Sequence, residues 1–134
     1  MYLPQIDIVM FKKLLSFIVL IVLLSSCEVN RENLIIGRWN KIDVVSDEVP
    51  FYETWSFDKS ADFFWIRETN GVQDTLIEGQ YLIKNDILTI TGEAIAPSKR
   101  YYLGDWAINS LDDEQMTLIL QVNGLEYFEF AKED

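Results

Sequence analysis

Histidine is missing altogether from this 134-residue chain. Without it, Ser-His-Asp and Cys-His nucleophilic catalysis and the usual zinc-ligand sets cannot be assembled. Cysteine occurs once, at Cys27, so no disulfide cross-links the chain and packing alone must hold the fold. Cations are scarce: 11 Lys and Arg stand against 22 Asp and Glu, a net charge of −11. A surface that acidic repels phosphate backbones and anionic headgroups, which argues against nucleic-acid binding and against a domain lying flat on a membrane. A long amphipathic helix is also missing. Parallel strands need such a crossover, so an antiparallel arrangement is expected.

What is present begins with one apolar run. Met10-Phe11 and the pair Lys12-Lys13 lead into Leu14 to Leu24, interrupted only by Ser16, and the run ends in Leu24-Ser25-Ser26-Cys27. As a helix, Leu14 to Leu24 extends about 16 Å, too short for a hydrocarbon core of roughly 30 Å. A basic start, a short apolar middle and small residues at the end are the order of a secretory signal. The final cysteine resembles the lipobox of bacterial lipoproteins, which implies lipidation at Cys27 and cleavage before it. Pro4 and Asp7 precede the lysines and fit no part of a signal, so translation is expected to start at Met10. The expected organisation is a signal segment over residues 1–26, a polar linker over 27–33 and a single domain over 34–134. The linker reaches at most ~25 Å. It would hold the domain close to the membrane of a bacterial cell envelope, most simply the outer membrane, facing the periplasm or the cell surface.

After a possible helical turn at Leu34-Ile35-Ile36, eight strands are expected. They cover Ile36 to Val45, Phe51 to Phe57, Asp62 to Glu68, Gln73 to Lys84, Ile87 to Thr91, Arg100 to Ser110, Met116 to Val122 and Leu125 to Ala131. Turn signals separate them: Asp58 to Ala61, Asn70-Gly71, Asn85-Asp86, a loop from Gly92 to Ser98, Asp112 to Glu114 and Asn123-Gly124. An open meander of this kind leaves two unpaired edges, whereas a closed barrel has none. The fold class is therefore all-β, an eight-stranded antiparallel up-and-down barrel, with Gly79 and Gly104 as bends inside its longest strands.

Period-two alternation assigns the faces. Trp55 and Phe57 share one face of the second strand. In the third strand Phe63, Trp65 and Arg67 share one parity and Phe64, Ile66 and Glu68 the other, so apolarity alone does not choose. Elsewhere Ile77, Tyr81, Ile83, Leu88, Ile90, Met116, Leu118, Leu120, Phe128 and Phe130 point inward. The chain carries 4 Trp, 6 Tyr and 8 Phe, each able to bury roughly 150–250 Å². An eight-stranded barrel is just wide enough to be filled by side chains or to hold one small ligand. Both readings stay open at this level.

Gly37-Arg38-Trp39 resembles the start signature of lipocalins, a glycine, any residue and a tryptophan opening the first strand. Glu53-Thr54-Trp55-Ser56-Phe57, a short turn and Phe63 continue the likeness. Gly79-Gln80-Tyr81-Leu82-Ile83 then leads into Leu88-Thr89-Ile90-Thr91, as in the small lipocalin-like domains of bacterial lipoproteins. The resemblance implies a barrel able to enclose a small hydrophobic ligand, with Trp39 at its closed end under a cation from the last strand, a place Lys132 alone can take. It turns Phe63 and Trp65 inward, making Trp55, Phe57, Phe63, Trp65, Arg67 and Tyr81 the candidate cavity lining. Ala61 stands where the family has a glycine. Ser46 to Pro50 is too short to form the lid of the large members.

Arg67 has two readings. Inside an aromatic barrel its guanidinium would hold an anionic head group such as that of a fatty acid. At the strand end it would instead reach water over the rim. Paired carboxylates hydrolyse glycosidic bonds without histidine, but Asp47-Glu48 and Asp112-Asp113-Glu114 sit in turns, where solvated acids are the rule, and lack the alternation and glycine of a calcium loop. No catalytic residue, metal ligand or cofactor is assigned. The expected function is binding: a small hydrophobic or amphipathic ligand in a narrow barrel, or, with the barrel filled, docking to another envelope protein.

Overall fold

The computed structural model describes residues 12, 13, 16, 18, 31–42, 51–122 and 124–134. Cys27, the rest of the expected signal segment and the loop from Ser46 to Pro50 lie outside the described residues. Among the described residues no helix is long and apolar enough to cross a membrane.

Eight strands follow in order: β1 (Gly37–Lys41), β2 (Phe51–Phe57), β3 (Asp62–Thr69), β4 (Val72–Lys84), β5 (Ile87–Ala94), β6 (Gly104–Leu111), β7 (Gln115–Gln121) and β8 (Leu125–Lys132). Each pairs antiparallel with the next, and β1 closes on β8 with Trp39 opposite Lys132 and Lys41 opposite Phe130. The all-β, up-and-down closed barrel expected from the turn spacing is the fold observed. Its turns alternate between two ends. Residues 31–35 form a helical turn at the end that also carries the β2–β3, β4–β5 and β6–β7 turns. The opposite end carries the β3–β4 and β7–β8 turns and a 3-10 helix, Pro97–Tyr102.

That 3-10 helix corrects the expected strand from Arg100 to Ser110. Pro97 fixes φ at its first turn and cannot donate to a ladder. Lys99 N–H then reaches the Ala96 carbonyl at 2.9 Å and Leu103 N–H the Arg100 carbonyl at 3.3 Å. Gly104 consequently starts β6, with φ of 115°, instead of bending the middle of a strand. Gly92 is not the start of a loop either. It pairs with Gly79 inside the β4–β5 ladder, and the two backbones approach so closely that a Cβ on Gly79 would overlap the Thr91 carbonyl, and one on Gly92 the Glu78 carbonyl. The polar linker expected through Asn33 is helical from residue 31.

Two bulges adjust which side chains face inward. Leu76 is the extra residue between Thr75, opposite Ile66, and Ile77, opposite Trp65. Asn109 plays the same part between Ile108 and Ser110. The core comprises the expected inward set except Tyr81, together with Ile35, Trp39, Leu76, Trp106 and Ile108. Trp55 lies at its centre, with six other aromatic rings at centroid distances of 4.9–6.3 Å. Side chains thus occupy the middle of the barrel.

The β2–β3 turn keeps the form that a glycine would favour although Ala61 occupies it, at φ of 67°. Left-handed backbone costs a residue with a Cβ about 1 kcal/mol. Asp58 offsets this cost: its carboxylate accepts from Ser60 N–H at 2.5 Å and its carbonyl from Ala61 N–H at 3.1 Å. From β4, Tyr81 donates its hydroxyl to the Asp58 carbonyl at 2.8 Å and its backbone N–H to the Ala61 carbonyl at 3.0 Å.

Candidate functional site: the open end of the barrel

The β2–β3 register sets Glu53 opposite Arg67. Glu53 shares the inward parity of Trp55 and Phe57, so its carboxylate enters the barrel and the residue is only 3 % exposed. A bare charge there would be costly. Arg67 answers it with a fork onto Glu53 Oε1, at 3.1 Å from Nε and 2.5 Å from the terminal nitrogen. Lys99, carried in by the 3-10 helix, places Nζ 3.5 Å from the same oxygen. Lys41, two residues beyond Trp39 on β1, places Nζ 3.7 Å from Oε2.

Aromatic faces complete the surroundings of these cations. Lys99 Nζ lies 4.4 Å from the centre of the Trp65 ring and 5.3 Å from that of Tyr102. Lys41 Nζ stands 4.1 Å over Phe128, and the Arg67 guanidinium 4.7 Å over Phe51. Such contacts strengthen as water is removed. Burial pushes the Glu53 carboxyl up, but the Arg67 hydrogen bond and the charges of Lys99, Lys41 and Arg67 outweigh it and hold the carboxyl below its usual range. Burial lowers Lys99; Glu53 opposes that shift, and Arg67 and Lys41 add to it.

Among the described residues, the fully buried Trp65 and Trp55 have no acceptor for their indole N–H groups, and Glu53 Oε2 accepts no hydrogen bond. Trp106 differs, donating to the Tyr102 carbonyl at 3.0 Å. Around the same end stand exposed apolar side chains: Ile42, Phe51, Tyr52, Val72, Ile95, Tyr101, Val122 and Leu125. Tyr101 donates its hydroxyl to the Val122 carbonyl, tying the 3-10 helix to the β7–β8 turn.

The closed end is sealed by other means. Trp39 donates its indole N–H to the Ile35 carbonyl at 2.7 Å, and Ile35 is fully buried. Lys132 stands 5.0 Å from the centre of the Trp39 ring and donates to the Leu34 carbonyl at 3.0 Å, so a lysine fills the capping place. Gly37 opens β1, where an added Cβ would meet the Lys132 side chain at 2.9 Å.

The residues expected to line one cavity are therefore distributed over the barrel's length. Trp55, Phe57, Phe63 and Trp65 pack in sequence along the axis, with Trp55–Phe63 and Phe57–Phe63 both 5.2 Å apart. Tyr81 belongs to the closed end, its ring 5.0 Å from Phe57, and borders an outer cleft of about 480 Å³ with Glu32, Ile36 and Lys59. Arg67 is at the open end, already paired to Glu53. Sequence reasoning missed Glu53 and Lys41, although both have an inward parity with neighbouring tryptophans. It also missed Lys99, which a strand period could not have revealed. Among the acids of the β6–β7 turn, Asp112 accepts from Glu114 and Gln115 N–H at 2.8 and 2.7 Å, a structural turn bond. Among the described residues no group of three or more acids is placed to hold a metal.

No family model matches the chain, and neither the curated proteins nor the solved structures give a significant match. The class defined by geometry is the closed eight-stranded antiparallel barrel. Its up-and-down order is compatible with a lipocalin-like fold.

Proposed function

We propose that the chain is a lipocalin-like envelope lipoprotein, tethered through lipid on Cys27, that binds a small amphipathic ligand at its open end without catalysing a reaction. The observation that carries this reading is the juxtaposition of three cations around the buried Glu53 with exposed apolar side chains around one barrel mouth. Because aromatic rings fill the axis, the ligand is held across the mouth and not in a deep calyx. Residues 31–35 form a helical turn at the other end, which supports a tether that leaves the mouth facing outward. Native mass spectrometry of the Cys27→Ser protein after exposure to cell extract tests the binding. A co-purifying mass of lipid size supports it, and a clean unliganded mass refutes it. The tether is tested separately: Cys27→Ser should abolish incorporation of labelled fatty acid and release the protein from the membrane fraction.

A second reading, docking to another envelope protein, is favoured by the filled axis together with the breadth of the apolar rim. Aromatic residues and arginine are enriched in protein interfaces. A clean unliganded mass together with a stable cross-linked partner would select it.

A further inference from the structure

We infer that the outer wall of the barrel from β5 to β8 is a docking surface for a cationic amphipathic segment of another protein. This surface is separate from the open end, and the inference stands whether or not a ligand is held there.

Outward residues of a barrel in water are normally polar, alternating with the core set. Here the register lines up apolar ones instead. Ile87 on β5 is opposite Ala107 on β6, Ala107 opposite Ile119 on β7, and Ile119 opposite Tyr127 on β8. Each has a buried chain neighbour, Leu88, Trp106, Leu118 or Phe128, so all four point away from the core. With neighbouring strands about 4.8 Å apart, the row extends about 14 Å across the wall. Leu82, outward on β4 and paired with Thr89, continues it beside Ile87. Leu82, Ile87 and Tyr127 are 61, 36 and 58 % exposed. Among the described residues Tyr127 has neither a partner for its hydroxyl nor a ring against its own. Because the barrel is closed, this wall offers no free strand edge. A partner must therefore be recognised through side chains and not as an added strand.

What borders the row decides the occupant. Asp105 lies on its open-end side and Glu129 on its closed-end side, both exposed. Asp105 accepts from the Thr89 hydroxyl at 2.7 Å, and among the described residues neither carboxylate has a cation beside it. Strands β5–β8 contain no arginine, and their single lysine, Lys132, is turned onto Trp39. Cations stand only at the margins: Lys84 opposite Ile87 on β4, Arg100 in the 3-10 helix, and Arg31, already paired to Asp86. A second copy of this chain would bring the same acids against these, in a protein of net charge −11. Anionic headgroups are repelled in the same way. A segment with apolar residues on one face and lysine or arginine along its edges covers the row and meets Asp105 and Glu129 together. Tyr127 is the natural anchor, since tyrosine is enriched at protein interfaces.

The test uses the full chain in phosphatidylcholine nanodiscs, with empty nanodiscs to subtract partitioning, and two fluorescein-labelled peptides of about 14 residues, roughly 21 Å as a helix. Both carry leucine on one helical face; the opposite face is lysine in one and glutamate in the other. Anisotropy reads binding, and the methyl resonances of Ile87 and Ile119 read its place. The lysine peptide is expected to bind saturably, to shift both resonances and to weaken with salt, and the glutamate peptide to bind at least about tenfold more weakly. Tyr127→Ser should weaken the lysine peptide about tenfold and Glu129→Gln about threefold, while Tyr127→Phe retains most of the affinity. Glu78→Gln on β4 and Val72→Ser at the open end should leave it unchanged. All these positions are exposed, so the variants keep the fold. Equal binding of the two peptides, unshifted Ile87 and Ile119, equal losses in Glu78→Gln and Glu129→Gln, or no binding at all overturns the inference. Cross-linking of two copies that Tyr127→Ser abolishes would overturn it too, assigning the wall to self-association.

Discussion

At the closed end Trp39 gives its indole proton to a backbone carbonyl of the helical turn, and Lys132 finds another carbonyl beside it. At the open end Trp65 is equally buried yet finds no acceptor among the described residues, and Lys99 shares an oxygen that Arg67 has already engaged. Both ends combine tryptophan with a cation over its face. They differ in what supplies the acceptors. A helical turn leaves its last carbonyls unpaired and delivers them in fixed directions, so one short segment closes the lower end completely. At the upper end, among the described residues, one buried carboxylate, Glu53, has three cations around it. The first arrangement is a seal of backbone acceptors, and the second is held by side-chain charge.

Breaking the open end at its carboxylate should have the largest effect. Glu53→Ala leaves Arg67, Lys99 and Lys41 facing one another, and removing one member of a buried charge pair costs about 3–5 kcal/mol. A urea titration of the variant should show a loss of this order, and a change under about 1 kcal/mol would mean the cluster contributes little to stability. The same carboxyl should give the open end a pH dependence. Since its folded pKa lies below the unfolded value near 4.5, its contribution is fully present above that value and is lost as pH falls through the folded pKa. Subtracting the acid titration of Glu53→Gln from that of the native chain isolates this part; superimposable curves would refute it.

The closed end should respond more mildly to conservative changes. Trp39→Phe removes the indole bond to Ile35 and part of the packing, at about 2 kcal/mol. Lys132→Met keeps the stem over Trp39 but loses the ammonium and its bond to Leu34, costing about 1 kcal/mol. Thermal unfolding of each, compared with Glu53→Ala, orders the two ends; a closed-end loss exceeding that of Glu53→Ala would reverse their ranking. The smallest effect belongs to Ala61→Gly, which relieves left-handed strain while loosening the unfolded chain, for a net gain of about 0.5 kcal/mol. A destabilised Ala61→Gly protein would show that the bonds from Asp58 and Tyr81 leave little strain there.

Period-two patterning and turn dipeptides made the barrel legible in the chain. The β2 boundaries, Phe51 and Phe57, are those expected, and Asn70-Gly71 and Asn85-Asp86 turn with positive φ as hairpin dipeptides do. The apolar-to-polar alternation failed where the chain left the sheet, at Pro97–Tyr102, because Arg100, Tyr101 and Tyr102 suit a strand as well as a helical turn. Three of the four charged residues of the open-end cluster carried a readable signal: Lys41, Glu53 and Arg67 all share a parity with a buried tryptophan. A charged residue at such a position is easily taken for a strand-end exception, since its partners come from other strands. Lys99 arrives through the tertiary placement of a short helix, and no local pattern encodes that.

The pairing of β1 with β8 also governs how the molecule must be built. The bond from Lys132 to Leu34 joins residues 98 positions apart, and the seam beside it has no counterpart earlier in the chain. Until the final strand is available, the first seven can form only an open sheet with two sticky margins, and Trp39 lacks its lid. Closure therefore comes as one late event whose entropic cost grows with the length of chain enclosed. Synthesis from the N-terminus delivers the opening strand first and its essential neighbour last, so a chain cut short before Phe130 has neither seam nor cap.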